Sequence, residues 1–309
     1  MSIAVIGSVF VDIKGFPHGQ FIPQGRNAGY MVQVHGGVSR NVAEDIGRAG
    51  FSPVMIGLSD TTGIGLDVIG RLQQSGVDTS HMRRVPNGCG TWIAVFDDQG
   101  DVAASVSVRP DLHPVTEILR AEGDAVIAAA DSLVVELDLE PETLDIAYAL
   151  AEKYHKPVYA VISNISIALE QKARLKQTDC FVCNMQEAGI FFQTGLDTLS
   201  PEDAARMLPV LIHKEQIPRM VVTMGSEGAV YADNAGNAGF VPARRVAVAD
   251  TSGAGDAFFS GVVIGLTCGR TLREACEIGT IAASSVITVK DNTVRPEVRE
   301  EIMTYLSPD

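Results

Sequence analysis

Apolar residues along the chain alternate between helical spacing and short continuous runs. Val42 and Ile46 lie on one face of a helix predicted over 38–50, and a buried strand predicted over 53–58 follows it. The same order repeats along the chain, with further strands predicted at 132–137, 158–162, 180–183 and 220–223 and helices at 66–76, 141–154 and 201–215. This alternation predicts an α/β fold in which helices cover both faces of a mostly parallel sheet.

Residues 15–35 and 83–108 do not follow this pattern, because neither segment has helical periodicity. Within the second segment, the apolar run 91–96 is followed by a turn that contains Gly100 and by another apolar run, which predicts a β-hairpin. Because the two segments are similar in character, we expect one small discontinuous sheet that projects from the main domain as a lid or an oligomer contact. Two unrelated surface hairpins are the alternative. We therefore predict a single domain over 1–309 with a lid at about 15–35 and 83–108.

The composition is that of a folded globular protein, with 46% hydrophobic and 20% charged residues. The 24 basic and 38 acidic residues give a formal net charge of −14, which disfavours binding to nucleic acid or to an anionic membrane surface. No apolar run approaches the length of a membrane span, and the first residues enter a strand pattern without the features of a signal peptide. We therefore expect a cytoplasmic protein with neither a nucleic acid nor a membrane partner. Its five scattered cysteines are expected to be reduced thiols.

The segment 249–259, Ala-Asp-Thr-Ser-Gly-Ala-Gly-Asp-Ala-Phe-Phe, carries the strongest signal for chemistry. Gly253, Ala254 and Gly255 open an apolar helix, and their free backbone amides would form an anion site at its positive end without basic side chains. Asp256 in the first turn would take a proton from a hydroxyl group placed against it. An aspartate that only complements the helix dipole is the structural alternative.

This segment resembles the signature of the ribokinase-like family of carbohydrate and nucleoside kinases. Other parts of the chain resemble that family in the same order, and together they span roughly its whole length. They are Asp12, which is expected at the end of the first strand, the run Gly36-Gly37-Val38-Ser39-Arg40-Asn41-Val42-Ala43, the run Asn184-Met185-Gln186-Glu187 and the run Thr223-Met224-Gly225-Ser226-Glu227-Gly228. The resemblance implies a doubly wound α/β domain with a small β lid, and it implies transfer of the γ-phosphoryl group of ATP to an alcohol.

The resemblance also implies roles for individual residues. Asp256 would be the catalytic base, and the amides of Gly253, Ala254 and Gly255 would stabilise charge on the transferred phosphoryl group. The residues expected to hold the acceptor are Asp12, Gly36, Gly37, Asn41 and Glu136. Those expected to hold the nucleotide are Asn184, Thr223, Gly225, Ser226 and Gly228. Glu187 would bind Mg²⁺ through water, and Asp250 and Ser252 are candidates for a K⁺ site.

The residues alone leave structural alternatives open at several of these positions, and for Asn41 the alternative is a polar position on an exposed helix face. Glu187 fits the first turn of a helix, 223–228 fits an ordinary turn after a strand, and Glu136 fits a solvated strand end. The expected cofactors are ATP and Mg²⁺, with K⁺ as a further candidate. A homodimer through the lid is another implication of the resemblance.

Within the family, Asp12-Ile13-Lys14-Gly15 and the Gly-Gly-Val-x-Arg-Asn run resemble pseudouridine kinases most. Ser163 departs from that pattern, because an aspartate is expected there, and the run 107–110 departs from it as well. Both departures fall in or near the predicted acceptor pocket. Pseudouridine, ribose, a ketohexose and other nucleosides therefore stay open as acceptors.

Two other classes of protein compete with a kinase. A dinucleotide-binding oxidoreductase would need a glycine fingerprint between its first strand and first helix, and the run 7–11 lacks that fingerprint. A non-catalytic regulatory protein that binds a sugar or nucleoside on the same fold stays open. Asp256 beside an anion site argues against this hypothesis, since a protein that only binds has no need of a base there.

Overall fold

The computed structural model describes residues 1–307, and its helices and strands follow the predicted alternation. The strands are β1 (Ser2–Ile6), β2 (Phe10–Pro17), β3 (Gly29–Gly36), β4 (Ser52–Asp60), β5 (Met82–Val85), β6 (Gly90–Phe96), β7 (Val102–Val108), β8 (Ser132–Glu136), β9 (Val158–Val161), β10 (Cys180–Asn184), β11 (Arg219–Thr223), β12 (Gly228–Asp233) and β13 (Ala238–Pro242). The helices are α1 (Val38–Arg48), α2 (Gly63–Gln74), α3 (His113–Ala129), α4 (Pro141–Lys153), α5 (Ile165–Ala168), α6 (Met185–Phe192), α7 (Pro201–Glu215), α8 (Ala254–Thr267), α9 (Leu272–Val286) and α10 (Val298–Leu306). Segments of 3₁₀-helix lie at Leu169–Gln177 and Leu196–Thr198.

Within residues 1–307, nine strands form one large sheet in the order β13-β12-β11-β10-β9-β8-β1-β4-β5. The neighbouring pairs from β11 to β5 are parallel, whereas β12 and β13 pair antiparallel at one edge. Strands β8 and β9 are buried at every residue because helices cover both faces of the sheet, and both are correspondingly rich in apolar residues. The predicted α/β fold with a mostly parallel sheet is confirmed.

Helix α8, which begins two residues before Asp256, packs closely against α9. A side-chain carbon on Gly261 would lie 2.7 Å from the Cα atom of Gly279, so the two backbones approach at a distance that only glycine allows. Residues 257–265 of α8 are buried without interruption. This packing fixes the N-terminus of α8 relative to the large sheet. Among residues 1–307, no helix combines the length and the apolar character that crossing a membrane requires.

The described residues also form a second, small sheet of four strands in the order β3-β2-β6-β7. Both segments of the predicted lid contribute to it, because β2 pairs in parallel with β6 and joins two hairpins into one sheet. The first segment begins earlier than predicted, since pairing of β1 ends at Ile6 and Asp12 lies inside β2 rather than at the end of the first strand. Residues 83–85 belong to β5 at the edge of the large sheet instead. That the small sheet closes over a ligand stays a prediction.

Candidate active site

A cleft of about 1170 Å³ lies between the small sheet and the loops and helix ends of the main domain. The predicted site residues that line it are Asp12, Gly36, Gly37, Asn41, Asp250, Ser252, Gly253 and Asp256. Phe10 and Trp92 of the small sheet also line this cleft, as do Ser163 and Asn164, which follow β9. The predicted base, part of the predicted anion site and most of the predicted acceptor residues therefore share one cavity.

Asp256 is held by a hydrogen bond from the side chain of Asn41. Asn41 Nδ2 donates to Asp256 Oδ2 at 2.7 Å, while Asn41 Oδ1 accepts from Arg40 Nη1 at 2.7 Å and from Asn292 Nδ2 at 3.3 Å. Burial raises the pKa of Asp256 to about 6, although the hydrogen bond from Asn41 and the charge of Arg40 both lower it. A carboxylate with a pKa near neutrality and a fixed orientation is suited to accept a proton from a hydroxyl group.

Arg40 is fully buried, and it forms an ion pair with Glu44 one helical turn further along α1. Glu44 also pairs with Arg71 Nε of α2 at 2.9 Å, and Arg71 Nη2 donates to Asp291 Oδ1 at 2.7 Å. A buried charge is tolerated only when it is paired in this way. The network therefore connects α1, α2 and the chain after α9 directly behind Asn41.

The N-terminus of α8 reaches the cleft at Gly253 and carries two free backbone amides. Gly253 has a left-handed conformation with φ of 78°, and a side-chain carbon there would lie 2.1 Å from the carbonyl oxygen of Asn292. Within residues 1–307, the amides of Gly253 and Gly255 have no acceptor, but Ala254 N–H donates to Thr251 O at 3.2 Å. The expectation that all three amides are free is therefore wrong for Ala254. Its amide is used by the turn that leads into the helix.

Asp12 lies on β2 beside Gly36 of the neighbouring strand β3. A side-chain carbon on Gly36 would lie 2.9 Å from Asp12 Oδ2, so glycine makes room for the carboxylate. Burial raises the pKa of Asp12, and the charges of Lys14 and Arg40 oppose this effect. Gly37, with φ of 95°, then turns the chain into α1.

Glu136 lies below the cleft rather than on its wall. It is 1% exposed and accepts hydrogen bonds from Ser8 N at 3.0 Å, Ser39 Oγ at 2.7 Å and Ser163 Oγ at 2.9 Å. Burial and the nearby charge of Asp138 raise the pKa of Glu136. The predicted direct contact between Glu136 and the acceptor does not fit this geometry, because three serines surround the carboxylate. Ser163, not Glu136, lines the cleft at this point.

The predicted nucleotide-binding residues lie together at the carboxyl ends of two neighbouring strands. Asn184 ends β10 and Thr223 ends β11, and the two residues are opposite each other in the sheet. Gly225 and Ser226 follow in the turn to β12, and Gly228 is the first residue of that strand. Gly225 and Gly228 have φ of 58° and 132°. In the described part of the chain, the residues that line the cleft do not include these five. Their role in nucleotide binding stays a prediction.

Glu187 forms a capping box with Asn184 at the start of α6. Glu187 Oε2 accepts from Asn184 N at 2.8 Å, and Asn184 Oδ1 accepts from Glu187 N at 2.8 Å. Burial and the charge of Asp138 raise the pKa of Glu187, although the hydrogen bond from Asn184 lowers it. The second carboxylate oxygen, Oε1, accepts no hydrogen bond within residues 1–307 and fits a water molecule bound to Mg²⁺. The capping role and the predicted metal role are therefore compatible.

Asp250 and Ser252 lie in the turn before α8, where Ser252 N donates to Asp250 Oδ1 at 2.8 Å. Burial disfavours the charge of Asp250, but the hydrogen bonds from Ser252 and the charge of Lys14 outweigh it and lower the pKa of Asp250. Within residues 1–307, no group of three or more His, Cys, Asp and Glu side chains is arranged to hold a metal ion. A K⁺ ion at Asp250 would therefore need further ligands from backbone carbonyls.

Several residues that line the cleft were assigned no role from the sequence. Lys14 and Trp92 lie on the same face of the small sheet as Asp12, and Arg109 follows β7 at the edge of the cleft. The alternation of faces along β2 identifies Lys14 once the strand is known, since it is two residues from Asp12. The sequence predicts that anions are bound without basic side chains. Lys14 and Arg109 change this expectation, because they add positive charge to the cleft of an acidic chain.

The comparisons with known proteins establish the family. Residues 1–297 match the family described as pfkB family carbohydrate kinase. The chain therefore belongs to the PfkB family of carbohydrate kinases, and its predicted class, a phosphotransferase with a hydroxyl acceptor, is confirmed. The predicted resemblance to sugar and nucleoside kinases is confirmed with it.

Named relatives include both nucleoside and sugar kinases. The chain is 32% identical over 302 residues to guanosine-inosine kinase of Exiguobacterium acetylicum, which covers 97% of this chain and 99% of that protein. It is 24% identical over 291 residues to pseudouridine kinase of Escherichia coli (strain K12), which covers 93% of this chain and 91% of that protein. The fold matches that of Arabidopsis thaliana ribokinase complexed with ribose and ATP, with a TM-score of 0.80, 18% identity and 99% of each chain covered.

Proposed function

We propose that this kinase transfers the γ-phosphoryl group of ATP to the primary hydroxyl of a nucleoside, with guanosine and inosine as its acceptors. The observation that carries the proposal is a single cleft lined by Asp12, Gly253 and Asp256, with the free amide of Gly255 next to Asp256 in the first turn of α8. The identity of 32% to guanosine-inosine kinase supports the purine nucleosides. Pseudouridine and ribose are the alternative acceptors, since relatives named for them are 24% and 25% identical.

Phosphoryl transfer needs a proton acceptor and donors that stabilise charge on the phosphoryl group. Asp256 accepts the proton of the acceptor hydroxyl as that oxygen bonds to the γ-phosphorus, and the bond from this phosphorus to the bridging oxygen of ADP breaks. Asp256 Oδ2 already accepts the hydrogen bond from Asn41 Nδ2, so Oδ1 is the oxygen that receives the proton. The amides of Gly253 and Gly255 donate to the phosphoryl oxygens, where the positive end of α8 favours negative charge.

The acceptor and the phosphates are held by residues on both sides of the cleft. Asp12 has two carboxylate oxygens that accept hydrogen bonds from vicinal ribose hydroxyls. Lys14, on the same face of β2, supplies a positive charge for phosphate oxygens. Mg²⁺ neutralises charge on the phosphates when it is bound with ATP, and Glu187 is the residue that would hold it through water.

The lining of the cleft favours a nucleoside over a free sugar. The aromatic side chains of Phe10 and Trp92 line it, and stacking of a base on an aromatic ring contributes about 1–3 kcal/mol. A free sugar has no planar base that could stack on these rings. The volume of about 1170 Å³ is above the roughly 300–1,000 Å³ that is usual for a small-molecule site, as expected for an acceptor nucleoside beside the phosphates of ATP.

The proposed reaction is tested by measuring ATP consumption with guanosine, inosine, adenosine, pseudouridine and ribose, each with and without K⁺. We expect the fastest turnover with guanosine and inosine. Preferential turnover of pseudouridine or ribose would assign the acceptor to one of the alternatives. Binding of a nucleoside without any ATP consumption would favour the regulatory hypothesis instead.

We also propose that a second copy of the chain covers the outer face of the small sheet. Ile13, Ile93 and Val106 are opposite one another on β2, β6 and β7, on the face away from Asp12. Met31 and Val106 on this sheet are 78% and 65% exposed. An aligned apolar face of this kind is typical of a protein contact, and two identical faces can cover each other in a symmetric dimer.

Light scattering after size-exclusion chromatography tests this dimer. The wild-type protein and Val210→Asp, a matched change at an exposed valine of α7, should elute as dimers, whereas Val106→Asp should be monomeric. A wild-type monomer would contradict the proposal.

A cytoplasmic location stays a prediction from the sequence.

A further inference from the structure

One row of residues crosses the small sheet on the face that lines the cleft. Val34, Asp12, Trp92 and Ser107 are opposite one another in the registers of β3, β2, β6 and β7. All four line the cleft. Because neighbouring strands are about 4.8 Å apart, Ser107 lies roughly 10 Å from Asp12 along this row.

This row has the length of a nucleoside. If Asp12 holds the ribose hydroxyls, as the proposed function requires, the base extends from the ribose along the row and over Trp92. A purine attached to a ribose spans a distance similar to that between the first and third strands. The outer edge of the base then lies near Ser107 and near Arg109, which follows two residues later and lines the same cleft.

The side chain of Arg109 is held by two hydrogen bonds to Asp138. Its Nη2 donates to Asp138 O at 2.8 Å and its Nη1 donates to Asp138 Oδ2 at 3.4 Å. Asp138 is itself buried and accepts from Ser163 N at 3.2 Å. A guanidinium group has five N–H donors, so three remain after these two hydrogen bonds. The side chain of Arg109 is 32% exposed, so part of it stays open to the cleft.

We infer that Arg109 recognises the O6 and N7 atoms of a 6-oxopurine and thereby selects guanosine and inosine over adenosine. Guanine and hypoxanthine both present two acceptors at this edge, which match two donors of a guanidinium fork. Adenine presents an amino group at C6, and its N–H donors would face those of Arg109. The inference rests on the proposed function, because it needs a nucleoside acceptor bound at Asp12.

The test compares kcat/KM for guanosine, inosine and adenosine in the wild type, Arg109→Gln and Arg109→Lys. We expect the ratio of kcat/KM for guanosine to that for adenosine to fall roughly 10- to 100-fold in Arg109→Gln, mostly through KM for guanosine. Arg109→Lys keeps the charge beside Asp138 but loses the fork, so it should also lose most of the selectivity. Arg83→Gln, a surface arginine paired with Glu117, is the matched control and should keep the wild-type ratio.

A change in the substrate separates recognition from loss of structure. In the wild type, 7-deazaguanosine, which lacks the N7 acceptor, should have a kcat/KM several-fold below that of guanosine. In Arg109→Gln the two nucleosides should be used equally. An unchanged preference for guanosine in Arg109→Gln, or an equal loss of kcat/KM for all three nucleosides, would overturn the role of Arg109 but not the proposed function. Phosphorylation of ribose or pseudouridine but of no purine nucleoside would overturn the proposed acceptor and this inference together.

Discussion

Replacing Asn41 with alanine removes the hydrogen bond that Asp256 Oδ2 accepts at 2.7 Å. This hydrogen bond stabilises the charged carboxylate and so lowers its pKa, which burial otherwise raises. The pKa of Asp256, about 6 in the wild type, should therefore rise in Asn41→Ala.

The size of this shift follows from the kind of hydrogen bond that is lost. A hydrogen bond to a charged group is worth about 1.5–3 kcal/mol, and one pKa unit corresponds to about 1.4 kcal/mol. The pKa of Asp256 should then rise by roughly 1 to 2 units. Because a general base must be deprotonated, the acidic limb of the activity profile should move to higher pH by the same amount.

The assay is kcat/KM for the acceptor across about pH 5 to 9, with each profile normalised to its own plateau. Normalisation removes any loss of acceptor affinity, since only the position of the limb is compared. Ionisation of ATP affects all proteins equally, and Asn237→Ala, in the turn between β12 and β13, is the matched control. An acidic limb at the same pH in Asn41→Ala and the wild type would refute the assignment of Asp256 as the titrating base.

Two further predictions concern stability in urea unfolding experiments. Gly253→Ala should lower the free energy of unfolding by at least about 1–3 kcal/mol, because φ is 78° and the new carbon would lie 2.1 Å from Asn292 O. Gly255→Ala should leave the free energy of unfolding unchanged, because among residues 1–307 the new carbon would have no neighbouring atom within 4 Å. Equal stability of the two variants would contradict this account. The pKa of Asp45 is raised well above its ordinary value, chiefly by burial, so its contribution to stability decreases as pH rises. Asp45→Asn should therefore be more stable than the wild type at pH 8 and similar to it at low pH; a loss of stability at pH 8 would contradict the reasoning.

Strands β4, β8, β9, β10 and β11 were predictable because each is a short apolar run that alternates with helices along the chain. The run 158–162, for example, differs from β9 by one residue. The end of β1 was not predictable in this way, because only Gly7 and Ser8 interrupt the apolar residues from Ile3 through Val11 and the point where the chain leaves the large sheet is not marked. Asp12 was therefore expected at the end of the first strand, whereas it lies within β2.

The place of the candidate site was predictable where backbone conformation and residue type act together, as at Gly253 and Asp256, which both line the cleft. It was not predictable where the fold buries a polar side chain. Arg40 and Glu44 have the spacing of an exposed helical ion pair, yet both are fully buried behind Asn41. Glu136 ends a strand like a ligand-binding carboxylate, but only the folded chain brings Ser8, Ser39 and Ser163 around it.

The most direct test of the central claim is the turnover of Asp256→Asn at saturating ATP and guanosine, measured together with ATP binding. Asparagine has nearly the same shape as aspartate but cannot accept the proton, so the variant should fold and bind ATP with wild-type affinity. Its kcat should fall by about 10²- to 10⁴-fold, the usual contribution of a general base. An unchanged kcat in a folded, ATP-binding variant would contradict the claim that Asp256 is the base.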